Sequence, residues 1–199
     1  MEHGACAAAI RPIERDRLCA EPYFYPVFEE AARLNVPMAM HLGNGNPEVH
    51  ALLNTGMCGS AFSFRIPTVS SLHWVVWSEV ASVFPNLRWG IFEAGADWVP
   101  FVLKDLQRRF PTQHQRHKRQ LGENILKENN VWVACEACDD LAYVLKYAGE
   151  DNLVCGTDYG HTDQASELDA LRQLGNRTGV SQAVVDKILS DNPTRLFGF

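Results

Sequence analysis

Short apolar runs alternate with longer amphipathic segments along this chain. The apolar runs lack the period-two alternation of half-exposed strands, and they occur at 4–10, 36–40, 87–92, 131–135 and 152–157. Near-continuous apolar strands separated by helices are typical of parallel β/α units, whose strands are buried on both faces. The pattern therefore predicts a single α/β domain over residues 1–199, with about five parallel strands and no repeat of fixed period.

Helical spacing of apolar residues predicts the connecting segments. The predicted helices are 22–34, 71–84, 98–110, a helix capped by Asp139 or Asp140 and ending at 147–148, then 164–175 and 181–191, with Ser181 as N-cap and a last turn at 192–197. Residues 48–70 mix short apolar pieces with turn residues, which favours loop and short helix. Residues 111–122 are predicted to form an exposed polar connector.

Four successive predicted strands are followed by a side chain suited to metal binding or acid–base chemistry: His41, Glu93, Glu136 and Asp158. Active sites of parallel β/α folds lie at the carboxyl ends of the strands. Turn chemistry alone would place Gly, Asn or Ser there more often than His or Glu. One histidine with carboxylates suits a divalent cation. Because a bound metal lowers the pKa of its water toward 7, Asp158 could take the proton.

Each of these residues also has a structural interpretation. His41 could be a core histidine bonded to backbone, Asp158 could cap a turn, Glu93 could accept from backbone amides, and Glu136 could face solvent. His161, in the stretch VCGTDYGHTD at 154–163, is either a site residue or a rim residue. Trp98 either packs in the core or forms a wall of the substrate pocket.

Composition and charge exclude several classes of protein. The apolar fraction of 46% and the charged fraction of 21% are ordinary for globular domains. The net charge of -6 argues against nucleic acid as the main partner, and we interpret the basic stretch 108–119 as a solvated face. The absence of a long apolar run and of a basic leader leads us to expect no membrane association and a cytoplasmic location.

The six cysteines are irregularly spaced, which favours free, mostly buried thiols in a reducing compartment. Cys135 and Cys138 form a single C-x-x-C motif. Without a second such motif, a four-thiolate zinc site is not expected. A redox or metal role for this pair is an alternative to plain packing.

Four segments carry a family resemblance: PYFYPVFEEAARLNVPMAMHLGNGN at 22–46, VFPNLRWGIFEAGADWVPFVL at 83–103, DNLVCGTDYGHTD at 151–163 and ILSDNPTRLFGF at 188–199. In these segments the chain resembles the amidohydrolase-related metal-dependent hydrolases. The relevant branch includes aminocarboxymuconate semialdehyde decarboxylases and benzoate-type decarboxylases and hydratases. The order and spacing of the segments fit along nearly the whole chain.

The resemblance implies a parallel (β/α) barrel of TIM type with a divalent metal, zinc first, with iron or manganese as alternatives. It assigns His41 to the metal ligand of the fifth strand, and Asp158 to the aspartate of the eighth strand, which binds metal and handles the proton. The sixth strand often ends in histidine in this superfamily, whereas Glu93 stands here. Arg11, after the first predicted strand, either meets an anionic substrate or is structural.

The resemblance also implies an incomplete barrel. The family's first strand carries a His-x-His pair of metal ligands, and no His-x-His occurs in this sequence. Residues 4–12 resemble the fourth strand, so we expect about strands four to eight of eight. A site with fewer fixed ligands should hold its metal weakly or not at all. Exposed outer strands are open to pairing, which predicts a homo-oligomer.

The leading functional hypothesis is a metal-dependent hydrolase acting on a small carboxylated or aromatic substrate. His41 and Asp158 would hold the metal, Glu93 and His161 would assist Asp158 as catalytic groups, and Arg11 and Trp98 would shape the pocket. One alternative is a metal-dependent decarboxylase or hydratase. Another is a catalytically silent barrel fragment stabilised by self-association. A C-x-x-C redox protein is a weaker alternative.

Overall fold

The structure, a computed structural model, describes residues 4–43, 46–54, 59–113, 119–158, 169–176 and 179–199. Its strands are β1 (Ala8–Ile10), β2 (Ile13–Glu14), β3 (Arg17–Leu18), β4 (Met38–Met40), β5 (Trp89–Ile91), β6 (Val131–Cys135) and β7 (Leu153–Cys155). β2 and β3 form an antiparallel hairpin that the sequence pattern did not predict. The other five form one parallel sheet in the order β1-β4-β5-β6-β7, which confirms the predicted α/β fold.

The described helices are α1 (Tyr25–Arg33), α2 (Pro47–Leu53), α3 (Gly59–Trp77), α4 (Val80–Val83), α5 (Val99–Arg109), α6 (Ile125–Glu128), α7 (Leu141–Ala148), α8 (Ala170–Gly175), α9 (Gln182–Asp186) and α10 (Asn192–Phe197). Two 3-10 turns, Pro22–Phe24 and Phe110–Gln113, and a π-helical turn, Lys187–Asp191, adjoin them. In the part of the chain that the structure describes, no helix is long and apolar enough to cross a membrane.

Both faces of the sheet are apolar, which explains why its strands do not alternate. One face packs against the helices in the main core, where the rings of Phe28 and Trp89 meet edge-on at 4.9 Å. The other face carries a smaller cluster in which Trp132 and Val154 pack with Leu196 of α10. Gly90 lies on this second face, where an added Cβ would be 2.5 Å from the ring of Phe92. Any larger residue at this position would require the Phe92 ring to move.

The helix predicted at 71–84 is wrong at its start, and it is interrupted between Trp77 and Val80. α3 begins at Gly59 and ends at Trp77, and α4 follows after Glu79 takes a left-handed φ of 59°. The hydroxyls of Thr68 and Ser71 donate to backbone carbonyls of their own helix, at 3.0 and 2.6 Å. Turn-forming residues can thus be accommodated within a helix, because tertiary packing of its apolar face outweighs their local preference.

Other boundaries are close to the predicted ones. Asp140, one of the two proposed caps, accepts from the backbone of Tyr143 at the start of α7, and Ser181 caps α9. The predicted helix 164–175 and connector 111–122 lie partly outside the described residues. The short helix α6 was not predicted, since four residues give too little periodicity to recognise.

Candidate active site at the carboxyl edge of the sheet

His41 and Glu93 come together where two neighbouring strands end. His41 directly follows β4, Glu93 lies two residues after β5, and these strands are paired in the sheet. Nε2 of His41 is 2.9 Å from Oε2 of Glu93, and Nδ1 is 3.1 Å from the carbonyl oxygen of Leu42. The histidine side chain is 58% exposed and the glutamate side chain 21% exposed, so the pair borders solvent.

Both contacts involve an acceptor oxygen, and a neutral imidazole carries only one N–H, so the tautomer decides which nitrogen donates. With the hydrogen on Nε2, the ring donates to the carboxylate of Glu93. With the hydrogen on Nδ1, the ring donates to Leu42, and Nε2 keeps a lone pair that a metal cation can take. A histidine whose second nitrogen donates to a backbone carbonyl is the arrangement common among metal-binding histidines.

Glu93 and Asp158 have unusual backbone conformations. Their φ angles are 62° and 51°, in the left-handed region that side-chain-bearing residues seldom adopt. Such conformations carry a cost in free energy, and they are concentrated at functional sites. The two predicted carboxylates are therefore held on constrained turns at the ends of β5 and β7.

Asp139 joins the loops that follow β5 and β6. It is 4% exposed, and its Oδ2 accepts from the backbone amides of Ala96, at 2.8 Å, and Glu136, at 2.7 Å. An added Cβ on Gly95, whose φ is 66°, would be 2.9 Å from Oδ1, so the loop passes close against this carboxyl. Burial raises the pKa of Asp139, against the effect of the two amides. The sequence pattern indicated a helix cap at this position and missed this role.

Arg65 is a second residue that sequence reasoning missed. It extends from α3 toward the end of β6, where its guanidinium nitrogen is 3.7 Å from Oε1 of Glu136. Its side chain is 51% exposed. The position follows from the course of α3, which the sequence pattern placed incorrectly. A cation therefore lies at the edge of the sheet that carries the predicted site residues.

The two predicted substrate-binding residues have defined contacts. Arg11 forms a two-pronged ion pair with Glu14, at 2.6 to 3.1 Å, and its stem lies beside Gly43, two residues after His41. Arg11 thus has a structural partner in Glu14. Trp98 is partly buried against the main core and donates its indole N–H to the carbonyl oxygen of Gly95 at 2.7 Å. That contact fixes the turn after Glu93.

Asp158 and His161, the remaining predicted site residues, are not seen in contact with the pair His41 and Glu93. Asp158 follows β7, and three inter-strand steps, about 14 Å along the sheet, separate β7 from β4. His161 lies outside the described residues. Among the residues that the structure describes, no three His, Cys, Asp or Glu side chains form a ready metal cluster. The curvature of a closed barrel is what brings such strand ends toward each other.

A parallel β/α sheet with histidine, carboxylates and an arginine at its carboxyl edge places the protein among the parallel α/β folds, whose active sites lie at that edge. Residues 2–199 match the family model described as amidohydrolase, and the chain belongs to this family. No curated protein matches the chain significantly.

Solved structures show the same fold. An amidohydrolase from Mycobacterium avium subsp. paratuberculosis superposes with a TM-score of 0.80 at 23% identity, over 100% of this chain and 52% of that one. 5-Carboxyvanillate decarboxylase LigW from Sphingomonas paucimobilis superposes with a TM-score of 0.76 at 19% identity, over 97% of this chain and 58% of that one. A dihydroxybenzoic acid decarboxylase from Polaromonas sp. JS666, with bound manganese and 2-nitroresorcinol, superposes with a TM-score of 0.68 at 19% identity, over 90% of this chain and 55% of that one.

The chain therefore spans a little over half the length of these structures. The predicted TIM-type barrel, represented by about five of eight strands, is confirmed. The similarity to decarboxylases of this family also agrees with the predicted branch.

Proposed function

We propose that the carboxyl edge of this sheet is a divalent-metal site for decarboxylation of a small aromatic carboxylate. The observation that carries the proposal is the contact of His41 with Glu93, which places an imidazole nitrogen and a carboxylate oxygen 2.9 Å apart at the carboxyl edge of the sheet. The substrate class is supported by the structural relatives, two of which are decarboxylases named for aromatic acids. Hydrolysis is the second candidate, because the matching family model is described as amidohydrolase.

The side chains at this edge are of the types that bind a divalent metal. In this proposal His41 and Glu93, which are in contact, hold it, and Asp158 stays a predicted ligand, because the ends of β4 and β7 lie about 14 Å apart along the sheet. One imidazole with carboxylates suits manganese, iron or zinc. Manganese is the ion to test first, since it is bound in the Polaromonas relative, and zinc stays a prediction. When bound, the metal would act as a Lewis acid that polarises a substrate oxygen.

The chain's own residues would bind and orient the substrate. The guanidinium of Arg65 suits an aromatic carboxylate, because its 3.7 Å separation from Glu136 exceeds hydrogen-bond distance and a substrate oxygen can compete. Glu93 fixes the ring of His41 and can hold a proton at Oε2. Asp158 and His161 remain the proposed proton-handling groups.

The other predicted properties are part of this proposal. Trp98 and Arg11 are proposed to border the pocket for a small-molecule substrate. Absence of nucleic-acid and membrane partners and a cytoplasmic location stay predictions. A catalytically silent protein is the outcome that would replace this proposal.

The test combines metal content with turnover. The purified protein, before and after incubation with manganese, is analysed by elemental mass spectrometry and assayed for carbon dioxide release from 5-carboxyvanillate and 2,6-dihydroxybenzoate. About one metal per chain, lost in His41→Ala and Asp158→Ala, with turnover of either acid, supports the proposal. The matched controls His73→Gln and Asp186→Asn, in α3 and α9, should keep the metal. No metal after incubation and no turnover would overturn the proposal.

A further inference from the structure

Cys135 has a thiol partner that the C-x-x-C motif did not indicate. Cys135 and Cys155 are register partners on the paired strands β6 and β7, and each thiol shifts the pKa of the other. The Sγ of Cys155 also lies 3.7 Å from the carbonyl oxygen of Gly156. The Sγ of Cys138, in contrast, lies on an exposed turn 3.7 Å from Oε2 of Glu136. The cross-strand pair, Cys135 and Cys155, is therefore the pair that the strand register places side by side.

The geometry of the sheet permits a bond between these two sulfurs. Register partners on adjacent strands have Cα atoms about 5 Å apart, within the range of about 4.4–6.8 Å that disulfides span. On parallel strands their Cβ atoms have about the same separation and must approach to about 3.5–4.5 Å, so the bond would be strained and readily reduced. Their side chains lie on the same face of the sheet, since both belong to or pack against the main core. We propose that Cys135 and Cys155 form a redox-active pair that a hydroperoxide converts to a reversible disulfide.

The two thiols differ in a way that assigns the order of events. Cys135 is 1% exposed, whereas Cys155 is only partly buried at the end of β7. The neighbouring thiol of Cys135 lowers the pKa of Cys155, while the thiol of Cys155 and burial raise the pKa of Cys135. Because the thiolate is the nucleophile, Cys155 is the residue that attacks peroxide, and the buried Cys135 then resolves the product.

The reaction balances with hydrogen peroxide as the oxidant. The Cys155 thiolate attacks one peroxide oxygen, the O–O bond breaks, and hydroxide leaves and takes up a proton to form water. The sulfur is left as sulfenic acid. The sulfur of Cys135 then attacks that of Cys155, the S–O bond breaks, and a second water leaves. Two thiols and one peroxide thus give one disulfide and two waters, and a dithiol reductant reverses the change.

The test follows the sulfurs directly and does not depend on any enzymatic activity. The reduced protein is exposed to hydrogen peroxide, alkylated, digested and analysed by peptide mass spectrometry. A peptide linked through Cys135 and Cys155, absent after dithiothreitol, is expected. Cys138→Ser should form the same link. Cys19 is an internal control that should stay unmodified, because burial raises its pKa to about 12.

Variants separate the two roles. In Cys135→Ala the sulfenic acid on Cys155 has no resolving partner and should accumulate, so that dimedone labels it. Cys155→Ala should abolish both the link and the label. Circular dichroism of each variant verifies the fold, and Cys135→Ser is a second variant in case alanine leaves a disruptive cavity. A Cys135–Cys138 link, or persistence of both thiols in the folded wild type under peroxide, would overturn the inference.

Discussion

The imidazole of His41 and the carboxylate of Glu93 meet across two neighbouring strands, with Nε2 2.9 Å from Oε2. Nδ1 of the same ring lies 3.1 Å from the carbonyl oxygen of Leu42. Two residues that are far apart in sequence therefore place an imidazole and a carboxylate side by side at the carboxyl edge of the sheet. Glu93 is therefore the contact partner of His41, the predicted metal ligand.

Replacing Glu93 with glutamine should weaken manganese binding by about tenfold or more. The amide can donate to Nε2 of a neutral ring, so the contact no longer favours a cation. Titration of the metal-free protein with manganese, followed by calorimetry, measures the change. Glu30→Gln, which alters a surface pair with Arg33, is the matched control and should bind as the wild type does. Equal affinity of Glu93→Gln and wild type would assign Glu93 a purely structural role.

Asp158→Gly should stabilise the protein while removing its metal. Glycine adopts the left-handed φ of 51° without steric cost, so the free energy of unfolding should rise by up to about 1 kcal/mol. The carboxylate is lost at the same time, and metal retention should fall. Urea unfolding and elemental analysis give the two quantities. Asp158→Asn, which also tolerates this backbone, should lose metal with little change in stability; a retained metal in both variants would contradict the assignment.

Asp139→Asn should change the pH dependence of stability. Burial raises the pKa of Asp139, so the folded protein holds this proton more tightly than the unfolded chain does. The stability that this protonated carboxyl contributes is fully present below about pH 4, the ordinary pKa of an aspartate in the unfolded chain. It is lost as the pH rises through the raised pKa of Asp139 in the folded protein. Wild type should therefore lose stability relative to Asp139→Asn as the pH increases above about 4.

Urea unfolding of both proteins across this range measures the difference. Asp139→Ala is the companion variant, because it leaves the amides of Ala96 and Glu136 without their acceptor and should cost about 2–3 kcal/mol. A difference between wild type and Asp139→Asn that is constant with pH would show that this carboxyl does not couple folding to protonation.

Arg65→Gln should raise KM for an aromatic carboxylate about tenfold or more, with a smaller effect on kcat. The reason is that a charge-assisted hydrogen bond to the substrate would be lost from both the ground state and the transition state. Arg65→Lys should recover part of the affinity, and the surface variant Arg33→Gln should leave KM unchanged. A change in kcat alone would place Arg65 outside substrate binding.

The predicted homo-oligomer gives a test at the β1 edge. Val27 is 49% exposed and lines an apolar hollow of about 360 Å³ beside β1, together with Ala8, Leu34 and Val36. Covering this surface would favour self-association. Light scattering at micromolar concentration should show a dimer or larger species, and Val27→Glu should shift it toward monomer. Val83→Glu, at a similarly exposed valine, is the control; a wild-type monomer would contradict the prediction.

The strand order along the chain and the polar residues after each strand could be predicted from sequence. Apolar runs such as 131–135 are bounded by turn residues, and burial on both faces leaves a local pattern that needs no knowledge of the partner strand. For the same reason His41, Glu93, Glu136 and Asp158 could be recognised as strand-end residues. The start of α3 could not, because its turn-forming residues are accommodated by packing that the local pattern does not report.

Which side chains touch was decided only by the tertiary structure. The contact of His41 with Glu93, the acceptor role of Asp139 between two loops and the pairing of Cys135 with Cys155 all depend on which strands are neighbours and in what register. The local pattern of the sequence thus determined the helices and strands, and it indicated that the candidate site lies at the carboxyl edge of the sheet. Register and loop packing, which depend on interactions between residues distant in sequence, determined the pairs that can perform chemistry there.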